Sequence, residues 1–502
     1  MLLVSIRPHL IPTALVLACV LLTGCSEPLN DEQLQRSRQM PEGCEDAKLG
    51  IFIHWGPASV PAFAAGPPLA AGELEEVLLH GGARKELPYV EWYLYALERE
   101  GSDTALYHQR NYGDAPYDVF GQQFEQRVAQ SWDADAWAQF FDNSGARYVV
   151  LVTKHHDGYT LWPSDVVNPY KSGWGSEQDL VGELARAVRA RGMRYGTYYS
   201  TGLDWSFKLV SEGDLVRDVM RSAPGSQDYA DYTFDHMREL IDRYQPDVLW
   251  ADIGYPSRGR QGELLDYYYA NVPEGVVNDR WGGVDVLGRI AEIPGAATAM
   301  TWVARMLVAL ESDPLRDDPA RVGFKTAEYD SLPGIAPFKW ETTRGLGGSF
   351  AFNAAETAED MLSGAELVRF VADTVAKNGN VLINVGPDSH GRIPEIQQAP
   401  LLVLGRWLQV NGEAIYATQP WQRYRNLDGR ELRYTRNDDA LYAIVFGEAE
   451  AMLTIENPGV EWSALEVLGT TVNNVSRSAD RLAISLDHAL DGPAAVVKFT
   501  LR

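Results

Sequence analysis

The sequence predicts an α/β fold: a (β/α)8, TIM-like barrel followed by a small C-terminal β-sandwich. Three observations carry that reading. Beyond residue 45, short apolar runs alternate with amphipathic helical stretches, a pattern that builds parallel strands into a sheet covered by helices. His54, His155, Ser200, Asp252, Asp279, Glu328 and Asn384 all fall at or just past the ends of apolar runs, where such a barrel builds its active face. From about residue 425 the helical periodicity stops and only short alternating runs remain. A doubly wound open sheet is the competing arrangement, but no glycine-rich fingerprint follows the first strand.

Taken in chain order, residues 1–24 stand apart. Arg7 precedes an apolar stretch, Leu10 to Leu22, about as long as a signal-peptide core and too short for a membrane span. Leu22-Thr23-Gly24-Cys25 resembles a bacterial lipobox, which implies diacylation of Cys25 and, with Ser26 following, outer-membrane sorting. An ordinary cleaved signal is the alternative. Residues 25–45 are polar and predict a tether.

The barrel is expected over 46–424, with strands at 50–54, 148–153, 195–200, 247–252, 275–279, 324–328, 349–352 and 380–385. In SEQDLVGELARAVRARGMRYGTYYS, Ser176 can cap a helix whose Leu180, Leu184 and Val188 share a face, Gly192 can close it, and a strand follows. DYTFDHMRELIDRYQPDVLWAD repeats the unit, with Met237, Leu240, Ile241 and Tyr244 on one face and Pro246 as the stop; AELVRFVADTVAKNGNVLINVGP is a third. Residues 282–323 read as an inserted loop with one helix, Ala297 to Leu310, and long loops on a barrel's active face often shape the site. Residues 425–502 read as the β-sandwich.

A chain of 502 residues with 45% hydrophobic content, 14 Trp and 24 Tyr can bury a sizeable core and is too long for one small domain. Its formal net charge of −25 repels nucleic acid and anionic lipid, which leaves membrane contact only through an N-terminal lipid anchor. Of three cysteines, Cys19 leaves with the signal and Cys25 is the lipidation candidate, so Cys44 has no partner for a disulfide and no thiolate zinc cluster can form.

LVTKHHDGYTLW places His155 beside His156 at a strand end. Neighbours on an extended strand face opposite ways, so the pair makes awkward metal co-ligands, and the spacings H-x-H and H-E-x-x-H are absent. Polar contacts to a ligand, a metal site and a structural role all remain open for the pair. DVLWADIGYP is more decisive. Positions two apart share a strand face, so Trp250 and Asp252 project together and offer a carboxylate beside an aromatic plane. That pairing suits sugar chemistry, where a ring face stacks on the aromatic and the carboxylate meets an oxocarbenium-like centre; a helix-capping Asp is the alternative.

In order, GIFIHWGPASVPAF, EWY, TKHHDGYTLW, YYSTGLDW, DVLWADIGYP, VNDRW, KTAEY, WETTRGLGGSF and NVLINVGPDSHGRIP resemble the α-L-fucosidases of glycoside hydrolase family 29 over roughly residues 46 to 425. The resemblance implies a retaining hydrolysis that needs no metal or other cofactor, acting on fucosylated oligosaccharides or glycoconjugates. It assigns Asp252 as nucleophile and Glu328 as general acid/base. His54, His155 and His156 are implied as hydrogen-bonding partners of fucose hydroxyls, with Glu91 and Trp92 beside them. Tyr198, Trp250 and Arg280 are implied around the nucleophile, and Phe350 against the C6 methyl.

Plainer readings stand next to these. Trp92 and Phe350 also suit barrel packing, Arg280 could pair structurally with Asp279 or another carboxylate, and either Tyr198 or Tyr199 could face inward. Asp285, Glu292 and Glu311 of the insertion rival Glu328. The leading expectation is an exported, lipid-anchored α-L-fucosidase. A noncatalytic fucose-binding lipoprotein on a hydrolase scaffold and a metal-dependent barrel hydrolase are the alternatives.

Overall fold

The computed structural model describes residues 40–67, 86–283, 285–293, 301, 323–427, 429–448 and 450–502. The expected signal segment, Cys25, most of the expected tether, Glu311 and, save Thr301, the expected helix Ala297 to Leu310 lie outside the described residues.

Eight parallel strands form one curled sheet: β1 (Leu49–Ile53), β2 (Tyr148–Lys154), β3 (Arg194–Ser200), β4 (Val248–Asp252), β5 (Val276–Val277), β6 (Lys325–Glu328), β7 (Trp340–Gly345) and β8 (Gly379–Val385). Hydrogen bonding runs β5-β4-β3-β2-β1-β8-β7-β6. Gly50 of β1, for example, sits between Tyr148 and Leu382. The curl is evident inside: Phe52 of β1 meets Trp250 of β4 with ring centroids 5.6 Å apart, and the Tyr148 hydroxyl of β2 donates to Glu341 of β7 at 2.6 Å. No ladder joins β5 to β6 among the described residues. That seam is held instead by Gly323 N–H donating to Val277 O at 3.0 Å and Thr326 N–H donating to Asp279 Oδ1 at 3.1 Å.

The seventh strand is WETTRG, not the expected SFAF at 349–352, which forms a loop past its end. WETTRG escapes hydropathy because the barrel interior is polar there. Glu341 is 2% exposed yet accepts from both Tyr148 and Trp250, so its burial is compensated.

Helices cover the sheet as the periodicity predicts. In Leu180–Ala190, Leu180, Leu184 and Val188 are fully buried, each such aliphatic side chain contributing about 1.5–3 kcal/mol. Its cap is Asp179, which accepts from Gly182 N–H at 2.9 Å, rather than Ser176, which instead accepts from Gln178 N–H. Gln227–Tyr244 ends at Gln245 in a left-handed conformation, just before Pro246. Gly364–Ala376 begins with a reciprocal capping box between Ser363 and Glu366.

Two boundaries differ from expectation. The expected tether ends early: Glu42–Glu45 is a short helix, and Met40, Cys44 and Ala47 pack with Phe52, Tyr148 and Val248. Apolar Met40 and Cys44 have a floor to bury against, which polar neighbours in sequence conceal. At the other end the β-domain starts at β9 (Gln419–Arg425), before residue 425. It continues with β10 (Leu432–Arg436), β11 (Ala440–Phe446), β12 (Met452–Glu456), β13 (Trp462–Val467), β14 (Val472–Arg477), β15 (Arg481–Leu486) and β16 (Ala494–Leu501). Two antiparallel sheets, β13-β16-β11-β10-β9 and β12-β15-β14, enclose Leu441, Val445, Leu453, Leu482, Ile484 and Phe499. The domain is fastened to the barrel by Trp407 Nε1–H donating to Ala494 O at 2.8 Å and by the half-buried Arg433–Asp373 pair.

Candidate active site

The C-terminal ends of β3, β4 and β6, with the segment after β5, bring two carboxylates to one cation. Alternation along β4 turns Trp250 and Asp252 inward together. Asp252 Oδ2 accepts from the Tyr198 hydroxyl at 2.7 Å and Oδ1 from Arg280 Nη1 at 3.1 Å. Arg280 Nη2 reaches Glu328 Oε2 at 3.2 Å, so the two carboxyls lie within the span of one guanidinium. Glu328 Oε1 also accepts from the Tyr89 hydroxyl at 3.4 Å. Arg280 is aimed by Nε–H donating to Thr326 Oγ1 at 3.0 Å, whose own hydroxyl donates to Asp279 Oδ1 at 2.7 Å.

The backbone after each carboxylate is unusual. Ile253 and Tyr329, directly following Asp252 and Glu328, both have φ of 54°, a left-handed conformation costly for a β-branched or aromatic residue. Neighbours hold both turns. Thr201 Oγ1–H donates to Gly254 O at 2.5 Å, Gly202 N–H donates to Asp252 O at 3.0 Å, and Tyr329 N–H donates to Thr343 O at 3.0 Å. Gly202 must lack a side chain, because a Cβ there would lie 1.7 Å from Ile253 O.

Burial raises the pKa of Glu328; Arg280 opposes that rise and the Asp252 charge adds to it. Burial works against Arg280's own charge, but Asp252, Glu328 and Asp279 outweigh it and raise its pKa. The Tyr198 hydroxyl is held far above its ordinary value, by burial first and then by Asp252, so it is a donor only.

The histidines form the opposite wall. Burial pushes His54 down to about 4 and His156 down to about 3, so both are neutral. His54 Nδ1 lies 2.6 Å from Asn384 Oδ1, while the Asn384 amide donates to Phe350 O. His156 Nδ1 lies 2.6 Å from Ser200 Oγ, whose proton goes to Leu203 O at 2.8 Å. In each case Nδ1 carries the hydrogen, leaving Nε2 as a lone-pair acceptor suited to a hydroxyl. His155 lies 4.0 Å from His156 between ring centroids and stacks at 8° to Tyr198; its Nδ1 has no hydrogen-bond partner among the described residues. Trp92 stands edge-on to His156, and Phe350 packs 4.9 Å from His54 between centroids. Glu91 accepts from Ala351 N–H at 2.9 Å, and burial pushes its carboxyl up to about 7. His54, Glu91 and His155 line a recess that continues toward Trp55 and Asp157.

The expected site residues Asp252, Glu328, His54, Glu91, Trp92, His155, His156, Tyr198, Trp250, Arg280 and Phe350 are therefore gathered at one end of the barrel. Tyr198 is the inward tyrosine; Tyr199 faces outward, its hydroxyl 2.9 Å from His236 Nδ1. Arg280 pairs with Asp252 and Glu328, and Asp279 reaches it through the Thr326 hydroxyl. Two rivals of Glu328 are occupied elsewhere: Asp285 accepts from Ser257 and pairs with Arg289, and Glu292 pairs with Lys208. Among the described residues no cluster of three or more His, Cys, Asp or Glu is arranged to hold a metal ion. Tyr89 and Thr326 were not singled out by sequence, and Asn384 was placed on the active face without a role; Tyr89 stands two positions before Glu91, and Asn384 lies at the end of β8 as His54 and His155 lie just past β1 and β2.

Two carboxylates at one mouth of a barrel are the arrangement that glycoside hydrolases use. The α-L-fucosidase family model matches residues 25–413, and the chain belongs to that family, glycoside hydrolase family 29. It is 33% identical to an α-L-fucosidase of Dictyostelium discoideum over 82% of this chain and 78% of that protein. It is 30% identical to the human tissue α-L-fucosidase over 84% of this chain and 79% of the relative. The crystal structure of Thermotoga maritima α-fucosidase in complex with fucose superposes with a TM-score of 0.73 at 34% identity, covering 93% of this chain and 99% of that one. The chain is accordingly an α-L-fucosidase, a hydrolase of fucosylated glycans.

Proposed function

We propose that the chain is an exported, retaining α-L-fucosidase releasing terminal α-L-fucose from oligosaccharides or glycoconjugates, with Asp252 as nucleophile and Glu328 as general acid/base. The supporting observation is the shared guanidinium of Arg280. It contacts one oxygen of each carboxyl, at 3.1 and 3.2 Å, which favours the closely spaced pair that direct attack needs over the wider pair that leaves room for a water. In the first step an Asp252 oxygen bonds to the anomeric carbon while Glu328 gives its proton to the departing glycosidic oxygen. In the second, Glu328 takes a proton from water, whose oxygen displaces Asp252 and releases fucose. The raised pKa of Glu328 keeps a proton available for the first step.

His54, His155 and His156 accept or donate hydrogen bonds at the sugar hydroxyls, with Glu91 and Trp92 beside them. Phe350 covers the C6 methyl, a contact worth about 1 kcal/mol, so discrimination against a hydroxymethyl also needs steric or unpaired polar penalties. Trp250 underlies the nucleophile. Residues 1–24 are a lipoprotein signal and Cys25 is the lipid-bearing N-terminus; radiolabelled palmitate incorporation that persists in Cys25→Ser would refute the anchor.

Azide rescue tests the chemistry. Asp252→Gly should lose at least about 10³-fold in kcat and yield β-fucosyl azide, because azide attacks directly in place of the missing carboxylate. Glu328→Ala with an activated aryl α-L-fucoside should yield the α-azide, because azide then opens the covalent intermediate. Unchanged turnover in Asp252→Gly, or the reverse anomers, would overturn the assignments.

A further inference from the structure

Below the catalytic mouth a buried carboxylate has no part in the two-step chemistry. Glu341, on β7, is 2% exposed; its Oε1 accepts from the Trp250 indole N–H at 3.2 Å and its Oε2 from the Tyr148 hydroxyl at 2.6 Å. Trp250 is what both holders of Asp252 rest on. Tyr198 stacks on it at 27° with centroids 5.4 Å apart, and the Arg280 guanidinium carbon lies 5.0 Å from the indole centroid. One hydrogen bond therefore fixes the ring plane beneath the tyrosine and the arginine that grip Asp252, and the same arginine grips Glu328.

We propose that Glu341 is a positioning residue of the active site: it locks the Trp250 indole and, through it, the Tyr198 and Arg280 contacts that aim the two carboxyls. This rests on the catalytic assignments above. An apolar residue at 341 would leave the indole N–H buried without an acceptor and free the ring to tilt, and a small misplacement at a reacting centre has a large effect on rate. Tyr148 serves as an internal control, because its bond to Glu341 points away from the carboxylates and its hydroxyl has a second acceptor in Val381 O at 3.3 Å. A glutamine at 341 can keep the lock. Its carbonyl accepts from the indole, its amide donates to the Tyr148 hydroxyl, and that hydroxyl turns to Val381 O.

The test measures kcat and KM on 4-nitrophenyl α-L-fucoside for Glu341→Met, Glu341→Gln, Tyr148→Phe and Trp250→Phe, alone and with Glu341→Met, with thermal unfolding followed in parallel. The expected result is a kcat loss of tenfold or more in Glu341→Met with KM within threefold, recovery to within threefold of the parent in Glu341→Gln, and less than twofold change in Tyr148→Phe. In the Trp250→Phe background Glu341→Met should add less than twofold. A folded Glu341→Met with kcat within twofold of the parent overturns the proposal. So does an equal loss in the presence and absence of the indole, or a loss that Tyr148→Phe reproduces. If Glu341→Met does not fold, Trp250→Phe decides: kcat within twofold of the parent overturns the proposal, and a tenfold loss that Glu341→Gln does not share supports it. Full turnover in Asp252→Gly would instead overturn the nucleophile assignment, whatever Glu341 does.

Discussion

Arg280→Met removes the one cation that both carboxylates share while keeping a stem of similar length. A hydrogen bond to a charged group contributes about 1.5–3 kcal/mol, and this residue makes one to Asp252 and one to Glu328, at 3.1 and 3.2 Å. Those bonds also fix geometry, so the part felt by the transition state is taken as about 3 kcal/mol, or roughly 10²-fold in kcat/KM. The pH profile gives a second readout with a defined sign. Arg280 opposes the burial-driven rise of the Glu328 pKa. Without it Glu328 should hold its proton to higher pH, and the alkaline limb of kcat/KM should move up. The assay is initial rate against pH on 4-nitrophenyl α-L-fucoside, with folding checked by circular dichroism. A folded variant within threefold of the parent, or an alkaline limb displaced to lower pH, would refute the reasoning. Arg280→Lys should not restore activity, because the three donors of an ammonium radiate from one nitrogen and cannot span Asp252, Glu328 and Thr326 as the Nε, Nη1 and Nη2 of the planar guanidinium do.

Thr326→Val deletes the hydroxyl between Asp279 and Arg280 Nε and should lower kcat about 5- to 10-fold, as expected for about 1 kcal/mol of lost hydrogen bonding; combined with Arg280→Met it should add little, and full additivity of the two losses would refute their coupling. Asn384→Leu releases the His54 Nδ1 hydrogen and strands Phe350 O, so KM should rise about 3- to 10-fold with a smaller change in kcat; an unaltered KM would count against His54 as a sugar contact. For stability against pH, burial pushes the Glu341 carboxyl up to about 7 from an ordinary 4.5. The folded state thus keeps a proton that the unfolded chain releases, and this stabilisation, present at low pH, is lost as pH rises from about 4.5 through 7, about 3 kcal/mol at most. Glu341→Gln should make the decline of Tm between about pH 5 and 8 shallower, with Glu91 still contributing in the same window, and an unchanged decline would refute the assignment.

Sequence made the architecture legible where local and global requirements agree. Helices such as Leu180–Ala190 and Gln227–Tyr244 repeat apolar residues at helical spacing because one face meets the sheet. Trp250 and Asp252 could be placed together because strand alternation leaves no other choice. What sequence hid was compensated polarity. WETTRG reads as a surface segment until Tyr148 and Trp250 are seen to satisfy Glu341, and both partners are remote in sequence. Asp179 outcompeted Ser176 as a cap by standing directly before the helix, a distinction within the ordinary uncertainty of a helix start. Tyr89 and Thr326 sit in recognisable blocks, but only the fold reveals that one meets Glu328 and the other aims Arg280.

The placement of the carboxylates at the β5–β6 seam follows from how that seam is made. β5 is two residues long, so the chain leaves the sheet early, and Arg280, three positions after Val277, can lean over β4 on one side and β6 on the other. A full ladder would tie β5 and β6 through backbone groups. Here the join depends on Gly323 N–H, on the Asp279–Thr326 pair and on Arg280 itself. The same charged side chains therefore hold Glu328 opposite Asp252 and tune its proton affinity, so geometry and electrostatics at this mouth are one interaction network. Beneath it, Trp250 packs in one cluster with Phe52, Tyr198 and Leu382 and donates its indole N–H to Glu341, so the floor of this network joins β1, β3, β4, β7 and β8 without using the seam.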